Sequence, residues 1–577
     1  MQLMERSNAA TNLHGLAGAY PTPFEAGNGN QTTTWVQCIA FYERLALDYP
    51  GYLRFWQIGL SDNGIPMHAG LLSADGEFNR ERLKAAGRPV FFNNNGIHPG
   101  EPEGIDACMA LVRDLCTEPG RLAALDSTVF LFIPVYNVDG CVNRNTTSRA
   151  NQIGPESFGF RGNGRNLDLN RDFVKCDSLA AQVFNRFFTD WDPEVMVDTH
   201  TSNGADYQYT MTLIHTQTDK LGGRLGDFLR DTMLDAIYRD MEQRGWPTTP
   251  YVHPVRESPD DGIAHMLDVP RFSTGYASLH HSIGFMPETH MLKPFADRYA
   301  ATRALVESVL DFTVQHAAQI QALRSAARTK ETLMARWPVH WQIDYRRPRM
   351  TRFMGYQAQY RPSRLGNYQR LSYDHSQPWE RDIACYERCV ADIEIDTPRA
   401  YLVPRAWREV IERLHWNNVQ LQPLEDDQVL QVRSWRIAAL QTRATAYEGR
   451  MFHDDMRLTA QLETYAAHAG DCLVPLNQPA ARYAVQTLEP QAHDSFFRWG
   501  FFNSVLEKKE NISDYVFEDL AWDMLQQEPA LNASFEQWKL QHPELLSDQK
   551  AVLGFIFAHG QRFAEPGWMR YPVLSVL

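Results

Sequence analysis

Between Thr34 and about Lys330 the chain alternates short apolar runs with stretches of helical spacing. Pro89-Val90-Phe91-Phe92 is an apolar run that ends in a loop. Glu103 to Leu115 follows, with Ile105, Met109 and Val112 along one face, the 3.6-residue period of a helix. Val129-Phe130-Leu131-Phe132-Ile133 predicts a buried strand, and so does Val195-Met196-Val197 after the turn at Asp192-Pro193. Tyr207 to Ile214 and Ile283 to Met286 predict two more, and Ala296 to about Leu333 predicts long, charged helix that closes the domain. Strands separated by helices predict an α/β fold, a mixed central sheet with helices on both faces.

Beyond residue 330 the pattern changes. Residues 340–440 are dense in Arg, Tyr and Trp, with one clear helical stretch from Pro404 to Leu414, and Tyr447 to Leu476 alternates as strands do. After Ser495 the chain reads as helical and aromatic, and its aromatic density fits core packing at helical spacing better than a binding surface. The expected organisation is therefore an α/β domain over residues 1–330 and an accessory α+β region over 331–577, β-rich to about 480 and helical afterwards. At 577 residues the chain is too long for a single core, which agrees with more than one domain.

Composition narrows the function. With 70 acidic against 56 basic residues and no Lys/Arg block, a nucleic-acid partner is not expected. The longest strongly apolar stretch, Val129 to Tyr136, falls far short of the ~20 residues of a membrane span, so no membrane partner is expected. The opening residues MQLMERSNAATNLHG lack the apolar core of a signal peptide, and a cytoplasmic location is the expectation. Eight cysteines, none in a CxxC pair, are too sparse for a disulfide scaffold; free buried thiols are expected, with a Cys141–Cys176 bridge as the alternative. HExxH, GxxxxGK[ST] and GxSxG are all absent, which removes helix-borne zincin, P-loop and serine-elbow chemistry.

The chemistry-bearing residues gather at strand ends. The run Pro89 to Phe92 leads into NNNGIHPGEPEG, where His98 and Glu101 stand three apart across a Pro-Gly turn and can both reach one metal ion. A solvated His beside a Glu at a helix N-terminus would satisfy the same spacing. A second strand ends in VDTHTSNG and offers His200 as a third ligand. Between them GRNLDLNRDF packs Asp168, Asn170 and Arg171 into four positions, and the strand SIGFMPETH delivers Glu288 after an apolar run. A carboxylate there is costly unless it lies near the surface or a cation. Each segment alone has an ordinary structural account, but four at strand ends of one α/β domain do not.

The order HPGE, NVDG, DLNR, strand-borne His and strand-borne Glu resembles the zinc carboxypeptidase A family over about residues 30–325. The resemblance implies one zinc ion per chain on His98, Glu101 and His200, with the fourth position left to water. It implies that Glu288 is the general base, that Asp168 orients His98, and that Asn170 and Arg171 grip the terminal carboxylate of a peptide or small amide substrate. It further implies an arginine that polarises the scissile carbonyl: Arg161, nine residues before Asn170, with Arg149 as the rival. Tyr276 in STGYASLHH matches the family's mobile tyrosine, and Asn137-Val138-Asp139-Gly140 departs by one residue from the family's Asn-Pro-Asp-Gly. No residue of the side-chain pocket can be aligned. The region after 330 resembles the extension of a bacterial subgroup, with QTLEPQAHDSFFRWGFFNS as its recognisable stretch, and could support a homo-oligomer. Two other functions fit the same residues: a zinc-dependent deacylase of N-acyl amino acids, and a non-catalytic peptide-binding relative.

Overall fold

The computed structural model describes residues 20–577, so the opening segment read above for a signal peptide lies outside the described residues. Nine strands form the main sheet: β1 (Leu53–Leu60), β2 (Pro66–Leu72), β3 (Val90–Asn94), β4 (Val129–Ile133), β5 (Val195–Asp198), β6 (His200–Ser202), β7 (Met211–His215), β8 (Thr248–Pro250) and β9 (Ile283–His290). Their order is β1-β2-β4-β3-β5-β9-β7-β8, with β6 also paired to β9. The central β4, β3, β5 and β9 run parallel, whereas β1 with β2, β2 with β4 and β7 with β9 are antiparallel. The fold is thus the mixed α/β sheet expected from the alternation of apolar runs and helices.

Every residue of β3, β4 and β5 is buried, so these strands are covered on both faces, and this is why they read as continuous apolar runs rather than alternating ones. Phe91 stacks on Phe130 at 5.4 Å between ring centres, and Phe92 meets Phe184, Phe187 and Phe188 of helix Leu179–Trp191. The long helix expected from Ala296 is two helices, Phe295–Gln315 and Ala317–Glu331. The strand expected over Tyr207–Ile214 is shorter, Met211–His215, and Tyr207 instead makes an isolated bridge to Gly355.

The compact units do not divide at residue 330, which lies inside helix Ala317–Glu331. The first unit takes in the chain up to Thr397 together with Val410–Leu421 and Pro475–Ser495. The reason is pairing: Ile263 and Ala264 run parallel to Cys385 and Tyr386, Tyr276 donates its hydroxyl to Asn417 Oδ1 at 2.7 Å, and Arg482 is ion-paired with Glu331. The second unit holds Pro398–Glu409, Gln422–Val474 and Phe496–Leu577. It contains a six-stranded sheet and three helices, Asp514–Gln527, Pro529–Gln541 and Gln549–His559, whose cluster centres on Phe517, Met524, Leu553 and Ile556. Residues 495–502, expected to begin a helical stretch, are instead a buried turn, with Gly500 at φ +74°.

All eight cysteines are free and buried. Among the described residues no helix is long and apolar enough to cross a membrane.

Candidate metal centre and cleft

The site stands at the carboxyl ends of β3, β5 and β9, where parallel strands release their chains into loops. After β3 a tight turn bonds the Glu101 amide to the His98 carbonyl at 2.8 Å, with Pro99 and Gly100 at its centre. Glycine is required there, because a Cβ at Gly100 would stand 2.8 Å from Arg149 Cδ. The turn brings His98 and Glu101 onto the same point. His200 and Glu288 are paired residues of the adjacent parallel strands β6 and β9, so their side chains leave the sheet side by side.

His98, Glu101 and His200 are buried, and each offers one ligand atom within 4.8 Å of the other two. His98 Nε2 is held by Asp168 Oδ1 at 2.8 Å, and His200 Nε2 by Asp198 Oδ2 at 3.0 Å. Both imidazoles therefore turn Nδ1 toward Glu101, at 3.4 Å for His98 and 3.2 Å for His200. His98 Nδ1 is buried without any hydrogen bond, although an imidazole nitrogen so placed normally has a partner. Two imidazoles with carboxylate-fixed outer nitrogens, a carboxylate between them and an orphaned buried nitrogen fit a divalent cation of zinc's ligand preference.

The electrostatics agree. Although burial opposes it, Arg149 and His98 hold the Glu101 carboxyl well below the usual carboxylate range. Burial likewise disfavours charge on His200, but Asp198 and Glu101 raise its affinity for a proton well above the ordinary value. A position that favours a proton this strongly favours a cation in its place. Asp168 is held low against its burial by His98, Arg161 and Arg171. Burial pushes the Glu288 carboxyl up to about 8, with His200 opposing and Glu101 adding to the rise. Its Oε2 has no hydrogen-bond partner. A metal ion alongside would favour its ionised form.

Arg149 and Arg161 differ in their bonding. Arg149 bonds through all three nitrogens: Nε with Gln152 Oε1 at 2.5 Å, Nη1 with Glu101 Oε1 at 2.7 Å and Nη2 with the Thr201 carbonyl at 2.9 Å. Arg161 bonds Asp168 Oδ2 through Nε at 2.8 Å and reaches Glu101 through Nη1 at 3.4 Å, while its side chain stays 44 % exposed. Arg161 is thus the more exposed of the two, while Arg149 braces Glu101. Asn170 accepts the Ser273 amide on Oδ1 at 3.3 Å, which leaves its Nδ2 to donate into the cleft. Arg171, against the ring of Phe272 at 4.5 Å, lines the same cleft.

Tyr276 is not there. It is fully buried in helix Ser273–Leu279, stacked 5.3 Å from Phe173, with its hydroxyl spent on Asn417. The cleft's tyrosine is Tyr251, one residue after β8, whose hydroxyl is made less acidic by burial and by Glu288 and Glu101. Sequence reasoning passed over Tyr251 because nothing periodic marks a residue that follows a three-residue strand. It also passed over Asp198, for which there was a signal: a lone acid ending the apolar run Val195-Met196-Val197, two residues from His200. Asp168→Ala and Asp198→Ala are each expected to weaken zinc affinity by about 10- to 100-fold in chelator competition. Unchanged affinity in Asp198→Ala would leave that residue a packing role only.

Residues 38–207 match the family model for zinc carboxypeptidase, a span that includes the three candidate ligands, Asp168, Asn170 and Arg171 but stops short of Glu288. Among curated proteins, carboxypeptidase 2 of Trichophyton tonsurans is 23 % identical over 433 residues, covering 70 % of this chain and 72 % of that protein. Probable carboxypeptidase 2 of Arthroderma benhamiae is 22 % identical over 423 residues, 69 % and 73 % of the two chains. Among solved structures, a metallo-carboxypeptidase from Burkholderia cenocepacia aligns with TM-score 0.38 at 14 % identity over 49 % of this chain and 70 % of that one. Carboxypeptidase A from Helicoverpa armigera aligns with TM-score 0.38 at 13 % identity, over 57 % and 82 %.

Proposed function

We infer from this chain, which belongs to the zinc carboxypeptidase family, a zinc-dependent hydrolysis of the C-terminal peptide bond of peptides. The observation that carries it is the convergence of His98 Nδ1, Glu101 and His200 Nδ1 beside Glu288, with both outer imidazole nitrogens held by carboxylates. His98, Glu101 and His200 would hold a zinc ion, which would supply a Lewis acid and make the attacking water easier to deprotonate. Glu288 takes a proton from the attacking water on a carboxylate oxygen and returns it to the leaving amine. Arg161 donates to the carbonyl oxygen as negative charge develops on it, the contribution that preorganised donors make most effectively. Arg171 and Asn170 Nδ2 hold the carboxylate of the last residue, Arg by its planar fork. Tyr251 lines the same cleft.

The test is which end of the substrate is read. A peptide with a C-terminal amide is expected to be cleaved about two to three decades less efficiently than its free acid, since an unmatched guanidinium costs ~2–5 kcal/mol. Arg171→Ala is expected to lose a similar factor on the free acid and nearly all discrimination between the two. Equal cleavage of acid and amide, or internal cuts in a long peptide, would leave a zinc hydrolase but not a carboxypeptidase. Turnover of N-acyl amino acids in preference to peptides would give the deacylase instead.

A further inference from the structure

We propose that the enzyme selects C-terminal residues with uncharged, apolar side chains of the size of Leu, Met or Phe, through Met266, Phe272 and Met286. The inference rests on the carboxypeptidase reading and adds to it the class of residue released. The cleft has a volume of about 490 Å³. With the terminal carboxylate on Asn170 and Arg171 and the scissile carbonyl at the metal ligands, the side chain of the last residue must turn into the wall between these two anchors.

Three apolar side chains stand in the cleft around these anchors. Phe272 stands directly at the carboxylate grip, under the Arg171 guanidinium, and its neighbour Ser273 bonds Asn170. Met286 precedes Glu288 by two residues on β9, so both side chains share one face of the sheet and Met286 sits beside the base. Met266 lines the same cleft. Thioethers and a phenyl ring make a polarizable surface that adapts to branched, linear or aromatic side chains.

Charge decides against the other classes. The carboxylates lining the cleft are Glu101 and Glu288, against the cations Arg149, Arg161 and Arg171. Glu101 is taken up by Arg149, His200 and the Thr201 amide, and Glu288 is the base. A terminal Lys or Arg would meet three guanidinium groups, and the one carboxylate without an ion pair, Glu288, is committed to the reaction. A terminal Asp or Glu would find Arg171 already occupied by the main-chain carboxylate and its own charge against methionine and phenylalanine, where an unpaired charge is disfavoured.

The experiment is a kcat/KM series on N-blocked dipeptides that differ only in the last residue (Ala, Leu, Met, Phe, Lys, Arg, Glu), with the zinc-loaded full chain. Leu, Met and Phe are expected to exceed Lys, Arg and Glu by about 100-fold or more. Met266→Asp, at a partly exposed position that tolerates a polar group, is expected to shift the Lys-to-Leu ratio toward Lys by about tenfold or more. Phe272→Ala is expected to lower Leu and Phe more than Ala, with zinc content confirming the fold of both variants. A wild-type preference for Lys, Arg or Glu, or ratios that neither variant moves, overturns this inference while the carboxypeptidase reading stands. No cleavage of any member of the series overturns both.

Discussion

Glu288→Gln is expected to keep its zinc and its fold while turnover falls by about 10²–10⁴-fold. Glutamine matches the size of glutamate but carries no charge and cannot accept a proton, so the substitution removes the base with little change of shape. The fold should tolerate it, because Glu288 makes no ion pair among the described residues and its Oε2 lacks a partner that the amide could lose. Its placement is rigid: residues 288 and 200 are opposite each other in neighbouring strands, and Thr212 bonds the Glu288 carbonyl at 3.1 Å. The carboxylate is therefore held at the ligands rather than swung in from a loop. The measurement is kcat on a good substrate with zinc determined on the same sample. A near-normal kcat would assign the base to another residue.

The second large effect is on the metal. The purified protein is expected to carry about one zinc per chain, and His98→Ala or His200→Ala to lose nearly all of it on dialysis, since one of three protein ligands is gone. Each substitution also strips a carboxylate of its imidazole, Asp168 in one case and buried Asp198 in the other, so some loss of thermal stability should accompany the loss of zinc. Metal analysis of folded wild-type protein that finds no zinc would count decisively against the centre.

The metal centre was legible because its parts sit at strand ends, where the apolar run stops and the first polar residues face the ligand. His98, Glu101, His200 and Glu288 follow β3, β5 and the apolar start of β9 in the same way. What lay beyond this rule was hidden for physical reasons. Tyr276 has a suitable position in the chain, but its helix turns it inward onto Phe173 and Phe188, and helix direction cannot be read from seven residues. The choice between Arg149 and Arg161 depended on who bonds whom across 48 and 60 residues of chain. The domain boundary failed for the same reason: the alternation of strands and helices ends near residue 330, but the partners of Tyr276, Glu331 and Arg271 are Asn417, Arg482 and Asp494.

Those three partners bear on how the enzyme is made in the cell. At ~5–20 residues per second, a ribosome needs on the order of 10–40 s to travel from Tyr276 to the end of the Pro475–Ser495 segment. Until residue 417 is made the Tyr276 hydroxyl lacks Asn417, and until residue 482 is made Glu331 has His281 but not Arg482. Closure must wait for segments that arrive late and from far along the chain, the kind of contact that folds slowly. A chain ended before Ser495 is expected to yield an aggregation-prone fragment rather than a shorter peptidase.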